Sequence, residues 1–156
     1  MPISIKLEDY LTDRAVGYEL VPHPHTDSSM ATAAAAHVPG DRLAKAVIVQ
    51  DGDGPLMVVV PSDYHVHLGL LHKHLNREVG LVTEEEVLKL FPDCDEGAVP
   101  PIGAAYGIPT LVDEALLDVP EIYLESGDHE HLVKVSGEHF RTLLADAERV
   151  QVGPHI

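Results

Sequence analysis

The 156-residue sequence predicts a single domain of mixed α/β type, close to α+β, in which helices surround one central sheet. Its length and its hydrophobic content of 45% suit a globular chain that buries a substantial core. Runs rich in β-formers alternate with runs of helical spacing, and two of the β-rich runs are joined by a hairpin signal. Because this order is not a regular βαβ repeat, a sheet that mixes hairpins with helical connections is expected.

Turn and cap signals delimit the elements of the first forty residues. A strand that alternates in polarity stops where prolines remove backbone donors, and a serine can cap the alanine-rich helix that follows. The predicted elements are the end of a short helix at Tyr10–Arg14, a strand at Gly17–Val21 stopped by Pro22-His23-Pro24, and a helix through Ala31–Ala36, capped by Ser28 or Ser29 and ended near Pro39-Gly40.

A hairpin and two helices are predicted next. Leu43–Gln50 and Leu56–Val60 are β-rich, and Asp51–Pro55 between them contains Asp-Gly, a strong hairpin signal. Helical spacing then relates Tyr64, Leu68, Leu71 and Leu75. A capping box at Thr83–Glu86 opens a further helix that runs through Leu90.

The last third predicts three strands, a helix and a final strand. The strands are Thr110–Val112, Glu121–Leu124 and Leu132–Val135, the helix is Glu138–Ala145 with Phe140, Leu143 and Leu144 facing inward, and the final strand is Val150–Val152. Asp113 ends the first of these strands and is expected to cap the turn at Glu114–Leu116.

Charge limits the partners of this chain. Ten Lys and Arg residues stand against 26 Asp and Glu, which gives a net charge of −16. A protein that grips nucleic acid broadly needs a basic face, and here the basic residues are scattered. Contact with RNA is therefore expected to be small and local, and binding to DNA is not expected.

A cytoplasmic location is expected. No apolar run approaches the roughly 20 residues of a membrane span. The sequence Met1–Asp9 lacks a basic segment followed by an apolar one, so no signal peptide is predicted. The single cysteine, Cys94, cannot form an internal disulfide, which fits a reducing compartment.

Histidines suggest a metal site at first, because His-x-His occurs four times among eleven histidines. Residues two apart share a face on a strand but not on a helix, which leaves His129/His131, at the start of a strand, as the pair with chelating geometry. No Cys pair or HExxH pattern supports zinc. We predict solvated surface histidines and no cofactor, with a metal-dependent enzyme at His129/His131 as an alternative.

The usual catalytic motifs are absent from the sequence. Cys94 stands among acids in Phe91–Glu96, and carboxylates raise a thiol pKa, which is the wrong direction for a nucleophile. There is no GxSxG elbow, phosphate loop or dinucleotide fingerprint.

Two features point instead to a small-molecule pocket. Lys45 stands at the mouth of an otherwise apolar strand, where its ammonium must reach water or meet an anion. Gly97-Ala98-Val99-Pro100-Pro101-Ile102-Gly103 forms a stiff loop that presents backbone. Its proline pair has no N–H groups, whereas those of Gly97, Ala98, Ile102 and Gly103 are available as donors.

Over residues 15–150 the chain resembles the YbaK/prolyl-tRNA synthetase-associated domain family. The resemblance rests on the order and spacing of four segments: Lys45 at the head of a strand, Gly97–Gly103, Ile108–Asp113 and Ile122–Gly127. The stretches Gly127–His129 and Val133–Gly137 also fit, since members have a strand ending in glycine followed by another strand there.

The resemblance implies a barrel-like mixed α/β fold and an editing activity. Members hydrolyse the ester between a wrong amino acid and the 3′ adenosine of tRNA, alone or as part of a synthetase. By resemblance, Lys45 is important for deacylation, the loop from Gly97 to Gly103 borders the aminoacyl pocket, and His129 contributes to the pocket as in some alanine-clearing members. The implied partners are the tRNA acceptor end and an aminoacyl-tRNA synthetase.

Two departures from the family pattern leave a second function open. Ala46 follows the lysine, where many active members place Thr or Asn, and the chain is strongly acidic. The main prediction is an aminoacyl-tRNA deacylase that edits in trans. The alternative is a non-catalytic module that binds a small amino-acid-like or nucleotide-like ligand.

Overall fold

A computed structural model describes residues 3–24, 29–64, 66, 68–94 and 98–151. Within them the chain forms five α-helices and eight β-strands. The helices are α1 (Ile5–Asp13), α2 (Ser29–Ala35), α3 (Leu68–Leu75), α4 (Glu84–Leu90) and α5 (Gly137–Leu143). The strands are β1 (Glu19–Pro22), β2 (Leu43–Asp51), β3 (Gly54–Pro61), β4 (Gly80–Leu81), β5 (Thr110–Asp113), β6 (Glu121–Glu125), β7 (His131–Ser136) and β8 (Glu148–Val150).

All eight strands belong to one mixed sheet, in the order β1-β7-β6-β2-β3-β5-β8 with β4 paired to β2. The predicted hairpin is the antiparallel pair β2–β3, which runs from Ala44 opposite Pro61 to Asp51 opposite Gly54. Strand β2 is parallel to β6, and β5 is parallel to both β3 and β8. The mixed α/β class is thus confirmed. The pairings among the described residues do not join β1 to β8, and the barrel-like curvature implied by the resemblance stays a prediction.

Side-chain caps set the start of three helices, and the one at Thr83 confirms the predicted start of α4. The hydroxyls of Ser4, Thr83 and Ser136 accept from the backbone N–H three residues later, at 3.2, 3.3 and 3.0 Å. Each satisfies one of the amide donors that a helix N-terminus leaves open. Asp113 does the same for Ala115 at 2.9 Å, which confirms its predicted role as a turn cap.

The main core lies between one face of the sheet and helices α1, α4 and α5. Leu7 and Leu11 of α1 and Phe140 of α5 are fully buried in it. Leu143 and Leu144 are buried as well, so the predicted inward face of the last helix is confirmed. A smaller cluster lies under α3, around Leu71, and another packs Ala33 of α2 against Leu43.

Element boundaries differ from the predictions in a few places. Helix α3 begins at Leu68, so Tyr64 precedes it, and the two-residue strand β4 has too little sequence to carry a periodic signal. Ser29 is the first residue of α2 rather than its cap, while Ser28 lies outside the described residues. Other shifts affect only ends: α5 stops at Leu143, and β8 starts at Glu148 and stops short of Val152, which also lies outside the described residues.

Membrane insertion of a helix finds no support in the described part of the chain. None of the helices there has both the length and the apolar character that a bilayer span requires.

Candidate active site

Lys45 lies on β2, two residues after the strand begins. Its side chain is half-buried, and its Nζ is 3.4 Å from the carbonyl oxygen of Ser62. Burial lowers the pKa of the ammonium, and the nearby carboxyl of Asp63 acts in the opposite direction. A charge that has lost part of its hydration interacts more strongly with an incoming anion than a fully solvated one does. Lys45 therefore supplies a partly desolvated positive charge at the sheet.

A gap in strand pairing follows directly after Lys45. On one side β2 pairs with β3 along its length, whereas on the other it pairs with β6 only at Leu43 and Ala44 and with β4 only at Val49 and Gln50. The carbonyl oxygen of Ile48 accepts from the N–H of Val82 at 3.2 Å, so in the described pairings only residues 45–47 lack a partner on that side. The backbone there is accessible from one edge, as in an edge strand.

A cavity of about 240 Å³ lies along this gap. Its walls come from β2, from the segment that leads into α4, from the proline loop and from the end of β6. They are formed by Ala46, Val47, Ile48, Leu81, Val82, Glu84, Val87, Val99 and Glu125. The volume is below the roughly 300–1,000 Å³ of pockets for drug-sized ligands, so an amino-acid-sized group is the better match.

Glu125, the last residue of β6, places a carboxylate in the cavity wall. Its exposed fraction is 1%, whereas Glu84 on the other wall is exposed. Leu124 of β6 pairs with Ala44 of β2 in parallel register. The next residues along the two strands, Glu125 and Lys45, therefore lie at the same height along the sheet. Sequence reasoning missed Glu125 as a site residue. The available signal was a charged residue directly after the apolar run Ile122-Tyr123-Leu124, at a position a strand pattern makes half-buried.

Among the described residues of the proline loop, Val99 lines this cavity. Ala98, Val99, Pro100, Pro101, Ile102 and Gly103 are all buried, while Gly97 lies outside the described residues. Ile102 is fully buried in the main core. The loop thus borders the cavity through Val99, with the residues after it holding it to the core.

His129 lies in the turn between β6 and β7 rather than on a strand. It is buried and has a φ of +61°, in the left-handed region. The prediction that it starts a strand, and that it shares a strand face with His131, is wrong. Asp128 organises this turn by accepting from the N–H groups of Glu130 and His131, each at 2.9 Å. His129 does not line the cavity, and its contribution to the pocket stays a prediction.

Asp128 also binds the ring of His131, with its carboxylate 2.7 Å from Nδ1. Burial acts to raise the pKa of Asp128, but the hydrogen bonds it accepts from Glu130, His131 and Ser126 outweigh burial and lower that pKa. In the part of the chain that the structure describes, no group of three or more His, Cys, Asp or Glu could hold a metal ion. The pairs His23/His25 and His65/His67 fall partly or wholly outside it.

A second polar cluster joins the N-terminus to the loop around Cys94. Ser4 Oγ donates to Asp93 at 2.7 Å and lies 2.5 Å from the hydroxyl of Tyr106, which donates to the same carboxylate at 3.0 Å. The backbone N–H of Ser4 donates to the carbonyl of Ser126 at 2.7 Å. This cluster ties α1 to the end of β6 and holds that strand end in place beside the cavity.

Cys94 is expected to react slowly with alkylating reagents in the folded protein. Burial, together with the neighbouring Asp93, raises the pKa of the thiol to about 12, so at pH 8 only on the order of one molecule in 10⁴ carries a thiolate. With iodoacetamide, the native protein should react at least about 100-fold more slowly than the urea-unfolded chain, whose thiol has a pKa of about 8.5. Equal rates in the two states, measured by mass spectrometry, would contradict the buried, protonated thiol.

Comparison with known proteins agrees with this fold. A family model for the aminoacyl-tRNA editing domain matches residues 23–143. The structure of the hypothetical protein APE2540 superposes with a TM-score of 0.83 at 24% identity, covering 96% of this chain and 99% of that one. A proposed trans-editing enzyme for prolyl-tRNA synthetase gives 0.83 at 22% identity, with 96% and 95% covered. A search of curated proteins finds no match.

The fold and the family match define the class of this protein. The chain belongs to the aminoacyl-tRNA editing domain family, which confirms the resemblance drawn from the order of Lys45, the proline loop and the strands after it. The match includes β2, the cavity and the turn at His129. An editing function is therefore supported for this chain.

Proposed function

We propose that this protein is an aminoacyl-tRNA deacylase that acts in trans. It hydrolyses the ester between a mischarged amino acid and the 3′-terminal adenosine of tRNA. The observation that carries the proposal is an amino-acid-sized cavity that begins at Ala46, directly after Lys45, in a domain of the editing family. The fold shared with a proposed trans-editing enzyme for prolyl-tRNA synthetase adds support.

Hydrolysis of the ester does not require a nucleophilic side chain. An aminoacyl ester is already activated, so a bound water can attack the carbonyl carbon once the ester is held and the developing oxyanion is stabilised. The bond between the carbonyl carbon and the ribose oxygen then breaks, the ribose oxygen takes a proton, and the free amino acid leaves. Backbone N–H groups of the proline loop are the proposed oxyanion donors. No Ser, Thr or Cys is among the described lining residues, which agrees with a mechanism without a covalent intermediate.

Lys45 has the role of an anion anchor in this proposal. Its ammonium holds the phosphate or the ribose of the terminal nucleotide as a point charge while the aminoacyl group enters the cavity. The cavity walls then select by size, because a rigid wall rejects a side chain that does not fit more easily than one that is too small.

A panel of mischarged tRNAs tests the proposal. The wild-type protein should hydrolyse at least one of them faster than buffer, with free amino acid and intact tRNA as products. If none is hydrolysed above the buffer rate, while small ligands still raise the melting temperature, the chain is a binding module rather than an enzyme.

Salt should affect this activity only weakly. With a net charge of −16, the protein has no diffuse attraction for tRNA, and contact is confined to one or two phosphates at the acceptor end. Between 50 and 200 mM KCl, kcat/KM should change by less than about tenfold, whereas a protein with six to ten phosphate contacts loses about 10³–10⁵ in affinity. A loss of that larger size would show that the tRNA is gripped along its length.

A further inference from the structure

Two of the described lining residues of the cavity carry carboxyl groups. Of its two glutamates, Glu84 is exposed at the rim, whereas Glu125 has an exposed fraction of 1%. Glutamate is almost never buried to this degree unless its carboxyl group is paired or hydrogen-bonded. The other described walls are aliphatic, with Ala46, Val87 and Val99 among them. Among the described lining residues, the site is thus apolar with one buried carboxyl group.

An aminoacyl ester presents complementary chemistry. Its α-amino group has an ordinary pKa of about 7.7–8.0 and is largely protonated at neutral pH, and the side chain next to it varies in size and polarity. An ammonium beside a buried carboxylate forms a charge-assisted hydrogen bond, which is stronger than a neutral one. A small aliphatic side chain would meet the apolar walls at the same time.

We infer that Glu125 receives the α-ammonium of the aminoacyl group and so distinguishes aminoacyl esters from esters that lack this amine. This inference rests on the proposed function. Glu125 is then a substrate-binding residue, and it acts together with Lys45, which lies at the same level on the neighbouring strand. Lys45 holds the anionic nucleotide outside the cavity, and Glu125 holds the cationic amine inside it, so the ester between these charges has one orientation.

A pair of stable probes tests the inference by binding alone. In one, alanine is joined through an amide to 3′-amino-3′-deoxyadenosine; in the other, lactic acid replaces alanine, so that a neutral hydroxyl stands where the amine was. Calorimetry at pH 7 should show that the wild-type protein binds the alanyl probe at least about tenfold more tightly than the lactyl probe. Because this comparison needs no variant, it holds even if a change at the buried position unfolds the protein.

Two variants show whether Glu125 causes the preference for the alanyl probe. In Glu125→Gln, which replaces the carboxyl group by a neutral amide of the same shape, the preference for the alanyl probe should disappear. Glu85→Gln, at an exposed position of α4 outside the described lining, should keep it. Equal binding of the two probes by the wild type, no binding of either, or a preference that persists in Glu125→Gln would overturn the inference. So would hydrolysis that falls equally for aminoacyl and hydroxyacyl esters in Glu125→Gln with the discrimination intact, because that pattern belongs to a general base.

The mischarged-tRNA panel, run on the same wild-type preparation, separates this inference from the proposed function. If the wild-type protein prefers the alanyl probe but hydrolyses no ester, the role of Glu125 is supported and the proposed enzymatic activity is contradicted. A protein that hydrolyses esters yet binds both probes equally would show the reverse.

Discussion

Replacing Lys45 by alanine should lower kcat/KM for deacylation of the best mischarged tRNA by about 100- to 1,000-fold, the usual loss when a group that stabilises or positions charge is removed. The ammonium is half-buried and partly desolvated, so its interaction with the nucleotide is stronger than that of a surface lysine. Single-turnover hydrolysis with enzyme in excess over tRNA but below saturation gives kcat/KM for the variant and for the wild type.

Two further variants show whether the charge is responsible. Lys45→Met keeps an unbranched apolar stem in place of the lysine stem and should be as inactive as Lys45→Ala, with a melting temperature close to that of the wild type. Lys73→Ala removes an exposed cation from α3 and should leave the rate unchanged. Full activity in Lys45→Ala, or recovery in Lys45→Met, would remove the ammonium from the mechanism.

Gly103→Ala should destabilise the protein by about 1–3 kcal/mol, the range typical of an overpacked core. A Cβ at this position would lie 2.7 Å from the carbonyl oxygen of Ile108 and would overlap the hydroxyl of Thr110. That hydroxyl donates to the same carbonyl at 3.0 Å, so both neighbours are held by a hydrogen bond and cannot easily move aside. Urea unfolding followed by circular dichroism gives the free energy of unfolding.

Gly17→Ala is the matched control for this change. An added Cβ at Gly17 meets no atom within 4 Å, so the free energy of unfolding should stay within about 0.5 kcal/mol of wild type. If Gly103→Ala were as stable as this control, the close contact between the proline loop and β5 would not exist in the folded protein.

The contact at Gly103 bears on function through the loop that precedes it. Gly103 opens a short 3₁₀ turn, and Ile102 just before it is fully buried in the main core. Because these residues are immobilised, Val99 is held at a set distance from β2 across the cavity. A rigid wall of this kind is what selection by size requires.

Most of the fold could be predicted from the sequence because its signals are local. The Asp-Gly pair between two apolar runs specifies the β2–β3 hairpin, and Thr83 with Glu86 marks the start of α4. Asp113 was identified as a cap for the same reason. Strand β4 could not be predicted, since two residues carry no period and only pairing with β2 makes them a strand.

The candidate site, too, could be predicted from the sequence only in part. Lys45, the proline loop and the family were apparent from the sequence, because a charge in an apolar strand and a Pro-Pro pair between glycines are local features whose order along the chain is informative. His129 was placed on a strand because an alternating pattern carries no information about a left-handed φ.

What the tertiary structure alone decided is where the cavity lies and that Glu125 is buried in its wall. The gap beside residues 45–47 exists because β6 pairs with only the first two residues of β2, while β4 and Val82 pair with residues nearer its end. Such pairing joins residues far apart in the chain. The same pairing brings Glu125 to the level of Lys45, eighty positions earlier in the sequence. Local periodicity determines which residues form a strand, but the free energy of packing distant segments determines which strands become neighbours.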